Sequence, residues 1–141
     1  MRSAALVLVL AALTGCGGSH ERSPEQVARA WSAALDRNDN DAAAALFAKG
    51  ATVVQGAPLQ LPTHADALRW NAELPCGSRV DSVESRGDGR VIVVFTLEGR
   101  PQHHCDAPGG QAAVLFSVRD GKIVLWHQTP APPPPSSSEL V

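Results

Sequence analysis

The chain has 141 residues with 14 acidic against 12 basic side chains and a formal net charge of −2, the size of one ordinary folding domain. No basic run or basic–aromatic interleaving exists, so the electrostatic footprint of nucleic-acid binding is missing. Three Trp, three Phe and no Tyr exclude any chemistry that needs a phenol donor.

Met1–Cys16 reads as a targeting segment. Arg2 supplies the positive charge and Ala4–Leu13 is an unbroken run of ten apolar residues, too short to cross a bilayer, which takes roughly 20. Leu13-Thr14-Gly15-Cys16 follows directly and resembles the lipobox of bacterial lipoproteins. That resemblance implies cleavage of residues 1–15 and a lipid on Cys16, which would anchor the protein to the outer face of the bacterial cell membrane. Two or more acyl chains hold stably where one is marginal. The competing reading is an ordinary secretory signal that happens to end in Cys. Residues 16–22 then form a flexible tether. Three Cys in an exported chain leave an odd one. With Cys16 acylated, Cys76 and Cys105 are expected to form a disulfide in an oxidising compartment; free thiols or metal ligands are the alternative.

The folded region spans residues 23–129. Ser23-Pro24-Glu25-Gln26 offers a Ser N-cap, Pro at the first helical position and Gln three residues after the cap. Val27, Ala30, Trp31, Ala34 and Leu35 then share one helical face. Asn38-Asp39-Asn40 breaks the pattern and caps a second helix over Asp41–Ala48, closed by Lys49 and Gly50. Ala51–Gln55 is a short strand and Gly56–Pro62 a loop. Thr63 with Asp66 marks a third helix from His64 to about Glu73, stopped by Leu74-Pro75.

From Arg79 the period switches to two. Arg79–Ser85 is a weak strand, Arg86-Gly87-Asp88-Gly89 a turn, and Arg90–Glu98 a strong strand. In the latter Val91, Val93, Phe95 and Leu97 share one face, with Arg90, Ile92, Val94, Thr96 and Glu98 on the other. Arg100–Gly110 is a loop. Gln111–Gln128 is a hairpin about Asp120-Gly121, the pair that a type I′ turn favours because both central residues need φ > 0. Direct register pairs Val118 with Ile123, Phe116 with Leu125 and Val114 with His127, leaving Ala113, Leu115, Ser117, Val124 and Trp126 on the second face. Both faces are largely apolar, so each needs a cover. Pro130–Val141 cannot bury a core and reads as a disordered Pro/Ser-rich tail. Helices followed by a strand meander make an α+β domain with three helices packed on one face of an antiparallel sheet.

This element order resembles the nuclear transport factor 2-like superfamily, which includes SnoaL-like cyclases and ketosteroid isomerase. The residues that carry the likeness are Trp31 in the opening helix, Asn40-Asp41-Ala42, Leu46-Phe47-Ala48, Phe116–Ile123 and Trp126-His127. The resemblance implies a cone-shaped roll with an apolar pocket, often dimeric through its sheet. Such pockets host isomerases, hydrolases, cyclases and pure binding roles, so the fold does not set the function.

The candidates for pocket chemistry are His64, His103, His104, Asp106, Trp70, Trp126 and His127. By the direct register His127 shares the face of Val114 and Phe116, which makes it the candidate general base of an isomerase- or hydrolase-type enzyme; its competing role is a histidine at the sheet margin. Trp31, Trp70, Phe116, Trp126 and His127 are the candidate ligand-binding set. His103-His104-Cys105-Asp106 invites a metal reading, but adjacent His side chains in an extended segment point opposite ways, and exposed loop polarity is preferred. Ser/His/Asp, phosphate-loop and H-E-x-x-H signatures are all missing. The expected function is therefore non-catalytic and without a cofactor or metal: binding of a small apolar ligand or an envelope protein, with a homodimer through the sheet as a further option.

Overall fold

The computed structural model describes residues 20–133. The expected leader, Cys16 and the expected tether up to residue 19 lie outside the described residues, as do residues 134–141 of the expected tail. Among the described residues no helix is long and apolar enough to cross a membrane.

The first helix, α1, runs Pro24–Asp36 behind the expected capping box: Gln26 N donates to Ser23 Oγ and Ser23 N to Gln26 Oε1. Its stripe of Val27, Ala28, Trp31, Ala34 and Leu35 is buried. Helix α2 is shorter than its sequence suggests, Asn40–Ala45, with Asp39 accepting from Ala42 N. Phe47, Ala48, Lys49 and Gly50 leave the helix and open strand β1, Phe47–Gln55. Two contacts draw the chain into the sheet there: Ile123 N donates to Leu46 O, and Phe47 pairs with Ile123; the Phe47 ring also meets that of Trp70 edge-on at 5.7 Å. Gly50 has φ +76° within the irregular register between Phe47 and Thr52. It serves a bulge, where a left-handed glycine is at home, and not a helix end.

The expected loop Gly56–Pro62 is mostly a strand. Gly56 reverses the chain with φ +97°, and β2, Ala57–Leu61, pairs back onto β1. Only Leu61 of this edge strand is buried, so no alternation announced it. Helix α3 spans His64–Glu73 as expected, with a Thr63/Asp66 capping box, and buries Ala67, Trp70 and Asn71.

Strands β3 (Gly77–Gly87), β4 (Arg90–Glu98), β5 (Gln111–Arg119) and β6 (Lys122–Thr129) complete one six-stranded sheet in the order β2-β1-β6-β5-β4-β3. Its pairs are antiparallel except β1 with β6, which is parallel. Both hairpin turns, Asp88-Gly89 and Asp120-Gly121, hold two successive positive φ values.

The register of the last hairpin differs from the direct one. Val118 does pair with Ile123, but a shift follows, and Ser117 meets Leu125, Phe116 meets Trp126 and Leu115 meets His127. The extra residue, Val124, flips everything after it to the opposite face. Trp126 thereby turns inward, 4% exposed, and His127 turns outward. Burying an indole rather than an imidazole is what hydrophobic burial favours.

Trp31 is the hub of the core. Its ring meets Phe95, Phe116 and Trp126 edge-on at centroid distances of 6.0, 5.6 and 5.8 Å, the arrangement that aromatic quadrupoles prefer. Its Nε1–H donates to Asn71 Oδ1 at 2.8 Å, and Asn71 Nδ2 donates to Ala67 O. Each buried polar atom of this relay has a partner inside the core, which removes the cost of taking it out of water.

Candidate functional site

Between the C-terminal end of α1 and the inner face of the sheet the core opens into a cavity of about 300 Å³. Its inner walls are Trp31, Leu35, Phe95, Val114 and Trp126. Leu74, Pro75, Leu97 and Ala112 form a less buried apolar ring, and Gln55, Ser78, Asp106 and Gln128 supply the polar groups. Three of those four, Gln55, Asp106 and Gln128, are exposed. The Nε1–H of Trp126 is enclosed and without a partner among the described residues.

The Arg100–Gly110 loop frames the mouth. Cys76 and Cys105 form a disulfide with Cα atoms 4.6 Å apart, tying this loop to the residue before β3, and Cys76 itself lines the cavity. Arg100, 3% exposed, pins the loop's start: its guanidinium donates to Asn71 O at 2.8 Å, to Leu74 O at 2.6 Å and to Asn40 Oδ1. Its Nε has no partner among the described residues. Burial pulls the Arg100 pKa down and the Asp36 carboxylate pulls it back up. Gly109 N donates to Leu97 O and Leu97 N to Gly110 O, which closes the loop's other end.

Asp36 closes α1 against the sheet. Its Oδ1 accepts from Ser78 N at 2.7 Å. Burial raises its pKa, a rise that the Ser78 N–H opposes and the charge of Glu98 reinforces. A Cβ on Gly77 would stand 2.6 Å from that same Oδ1 and 3.1 Å from Gly99 O, so any side chain there would have to displace the Asp36 carboxylate.

The residues singled out in the sequence separate into groups. Trp31, Trp126 and Asp106 line the cavity. Phe116 is fully buried against Trp31, and Trp70 packs on Trp126 at 4.9 Å; both support the wall from behind. His127 lies between Val54 and Leu115 on the other face of the sheet, which corrects its expected place beside Val114. His64 pairs with Asp41 at 2.8 Å on an exposed surface. The His103 ring bonds Ala72 O and Pro101 O, and His104 is exposed. Among the described residues no three His, Cys, Asp or Glu side chains are placed to hold a metal ion.

Sequence reasoning overlooked Gln55, Leu97, Ala112 and Gln128 in the cavity, and Asn71 beneath it. Leu97 was within reach, since it alternates onto the face of Phe95. The two glutamines needed the bulged register and the parallel β1–β6 pairing.

No family model matches the sequence, and no curated protein matches it. Solved structures do. A protein of Cytophaga hutchinsonii, described as NTF2-like and of unknown function, is 12% identical with a TM-score of 0.63, covering 79% of this chain and 92% of its own. One of Sinorhizobium meliloti, provisionally described as a polyketide cyclase, is 22% identical with a TM-score of 0.61, covering 73% and 93%. One of Catenulispora acidiphila with a ketosteroid isomerase-like fold, in complex with trimethylamine, is 22% identical with a TM-score of 0.59, covering 78% and 88%. The chain therefore has the nuclear transport factor 2-like fold, a curved six-stranded sheet with helices laid over its inner face.

Proposed function

We propose that this protein acts by binding, holding a small apolar ligand in the cavity at the mouth of the cone, without catalysing a reaction on it. The observation that carries the reading is the composition of the cavity: aromatic and aliphatic walls with one carboxylate, Asp106, and none of the chain's five histidines. An apolar concavity with a few polar groups at its edge is the usual form of a small-molecule site. The complex of the Catenulispora neighbour with trimethylamine adds support for a small-molecule role. His127 as a general base has the sheet itself between its ring and the cavity.

Export and acylation at Cys16 complete the proposal, with the domain displayed on the outer face of the cell membrane by a short tether. The outer sheet face carries half-buried Ile92, Val94, Leu115 and Leu125 and offers a place for an envelope protein or a second copy of the chain. Intact-mass measurement of membrane-extracted protein tests the anchor: a mass beginning at Cys16 with added acyl chains is expected, and an unprocessed N-terminus overturns it. For the cavity, neutral apolar probes should quench or shift the fluorescence of Trp31 and Trp126 and raise Tm. Ala112→Phe, which fills the mouth, should abolish the response while the protein stays folded. Retention of probe by that variant, or turnover of any substrate that His127→Ala abolishes, overturns the reading.

A further inference from the structure

Resting on that binding reading, we infer that the cavity selects ligands with a short apolar body and a cationic head, an alkylammonium in chemical class, with Asp106 as the recognising group. Three observations converge. The lining contains one charged side chain, and it is an acid on the exposed mouth loop. The nearby cations are turned elsewhere: Arg100 is spent on Asn71 O, Leu74 O and Asn40 Oδ1, and Arg79 reaches toward Asp81 and Glu98 on the surface. The inner walls are aromatic, with Trp31, Phe95 and Trp126 facing the cavity, surfaces that attract organic cations.

An anionic head would therefore meet Asp106 with no cation in the lining to receive it. A cationic head would gain the charge of Asp106 and the negative faces of the aromatic walls, which attract organic cations. Gln55 and Gln128 carry both donors and acceptors, so they do not discriminate between the two. The volume, about 300 Å³, lies at the low end for small-molecule sites, roughly 300–1,000 Å³, and limits the body to a few carbons. Asp106 is anchored by its neighbour Cys105, whose disulfide holds the loop against the start of β3. The carboxylate is thus presented on a restrained backbone.

The test uses three probes with one body and different heads: hexyltrimethylammonium, 1-hexanol and hexanoate, titrated against the full chain by tryptophan fluorescence and calorimetry. Hexyltrimethylammonium should bind about fivefold tighter than hexanol, and hexanoate about fivefold weaker, the scale of a solvent-exposed charge pair. The spread should shrink as salt is raised from 20 to about 500 mM. Asp106→Asn, with its Tm checked first, should bring the three affinities within about twofold of one another. Equal binding of all three by the unaltered protein, or a preference for hexanoate, overturns the selectivity and leaves the binding reading standing. An equal loss of all three in Asp106→Asn also overturns it, since the residue would then act on the loop and not on the charge. Failure of all three, hexanol included, overturns the binding reading together with the selectivity.

Discussion

The two ends of the cone are built on opposite principles. At the narrow end the Asp88-Gly89 turn docks on β5: Val118 N donates to Gly89 O at 2.8 Å, and a Cβ on Gly89 would strike Val118 O at 2.5 Å. Backbone meets backbone there with no room between. At the wide end the same aromatic stack stops short, and side chains, a pinned loop and a disulfide surround empty volume. The Trp31–Asn71–Ala67 relay is matched inside the core, whereas on the cavity side the Trp126 Nε1–H has no partner among the described residues and Gln55, Asp106 and Gln128 at the mouth are left to solvent. Stability is concentrated where the contacts are closed, and recognition where they are open.

Truncation should show the contrast at its largest. Trp31→Ala removes the aromatic hub and strands the Asn71 amide, and should cost about 3–5 kcal/mol in urea denaturation. Leu97→Ala at the mouth should cost only about 1 kcal/mol, since its side chain is already partly exposed. Equal costs would break the comparison.

Next comes the disulfide, which closes a separation of 29 residues. The double variant Cys76→Ser/Cys105→Ser should lose roughly 3–4 kcal/mol by the loop-entropy account. Amide exchange should sharpen the point: faster exchange in the Arg100–Gly110 loop than around the docked Asp88-Gly89 turn is expected, and uniform acceleration would show that the mouth is not a separate region.

A smaller difference is expected between two glycines. Gly89→Ala must both clash with backbone and hold a left-handed φ of +74°, costing about 1–2 kcal/mol for the conformation alone. Gly77→Ala collides mainly with the end of the Asp36 side chain and with Gly99 O, so it should be the milder of the two by thermal denaturation. The reverse order would contradict the view that the narrow end is the tighter one.

The smallest effect is the pH dependence contributed by two carboxyls. Asp36 is raised above the ordinary carboxylate value of 3.8 chiefly by burial. A carboxyl raised in the folded state stabilises most when protonated, so its contribution is full below the unfolded value and is lost as pH rises through the folded one. Asp81 is lowered, first by the Thr96 hydroxyl and then by Gln111 and Arg79. Its contribution is present above 3.8 and is lost as pH falls through the lowered value. Denaturation midpoints across the acid range should therefore change slope in opposite senses for Asp36→Asn and Asp81→Asn. Slopes that move together would refute the assignment.

Most of the architecture was legible in the residues. Ser23 and Thr63 announced their helices through capping boxes, Asp88-Gly89 and Asp120-Gly121 marked tight turns, and alternation in Arg90–Glu98 put Val91, Val93 and Phe95 on one face, the face that the structure buries. Besides the register of the last hairpin, three features were not legible. The end of α2 was read too late because Lys49-Gly50 imitates a helix terminus, and only the pairing of Phe47 with Ile123 shows that the chain has already joined the sheet. Strand β2 is exposed at four of its five positions, so burial wrote no pattern into it. The cavity wall was half found: Trp31 and Trp126 line it, while Gln55 and Gln128 reach it through pairings that no local signal encodes.

Sequence alone determined where most helices and turns begin and which strands have a greasy face, because each of these depends on neighbours a few residues apart. Tertiary structure alone decided which way His127 points. A single bulged residue, Val124, inverts the last strand, and the choice between burying Trp126 and burying His127 is made by the space beside Trp31 and Phe116, groups 95 and 10 residues away along the chain from Trp126. Side-chain direction in a strand has a period of two, so one extra residue reverses it, and nothing short of the packed core can count that residue.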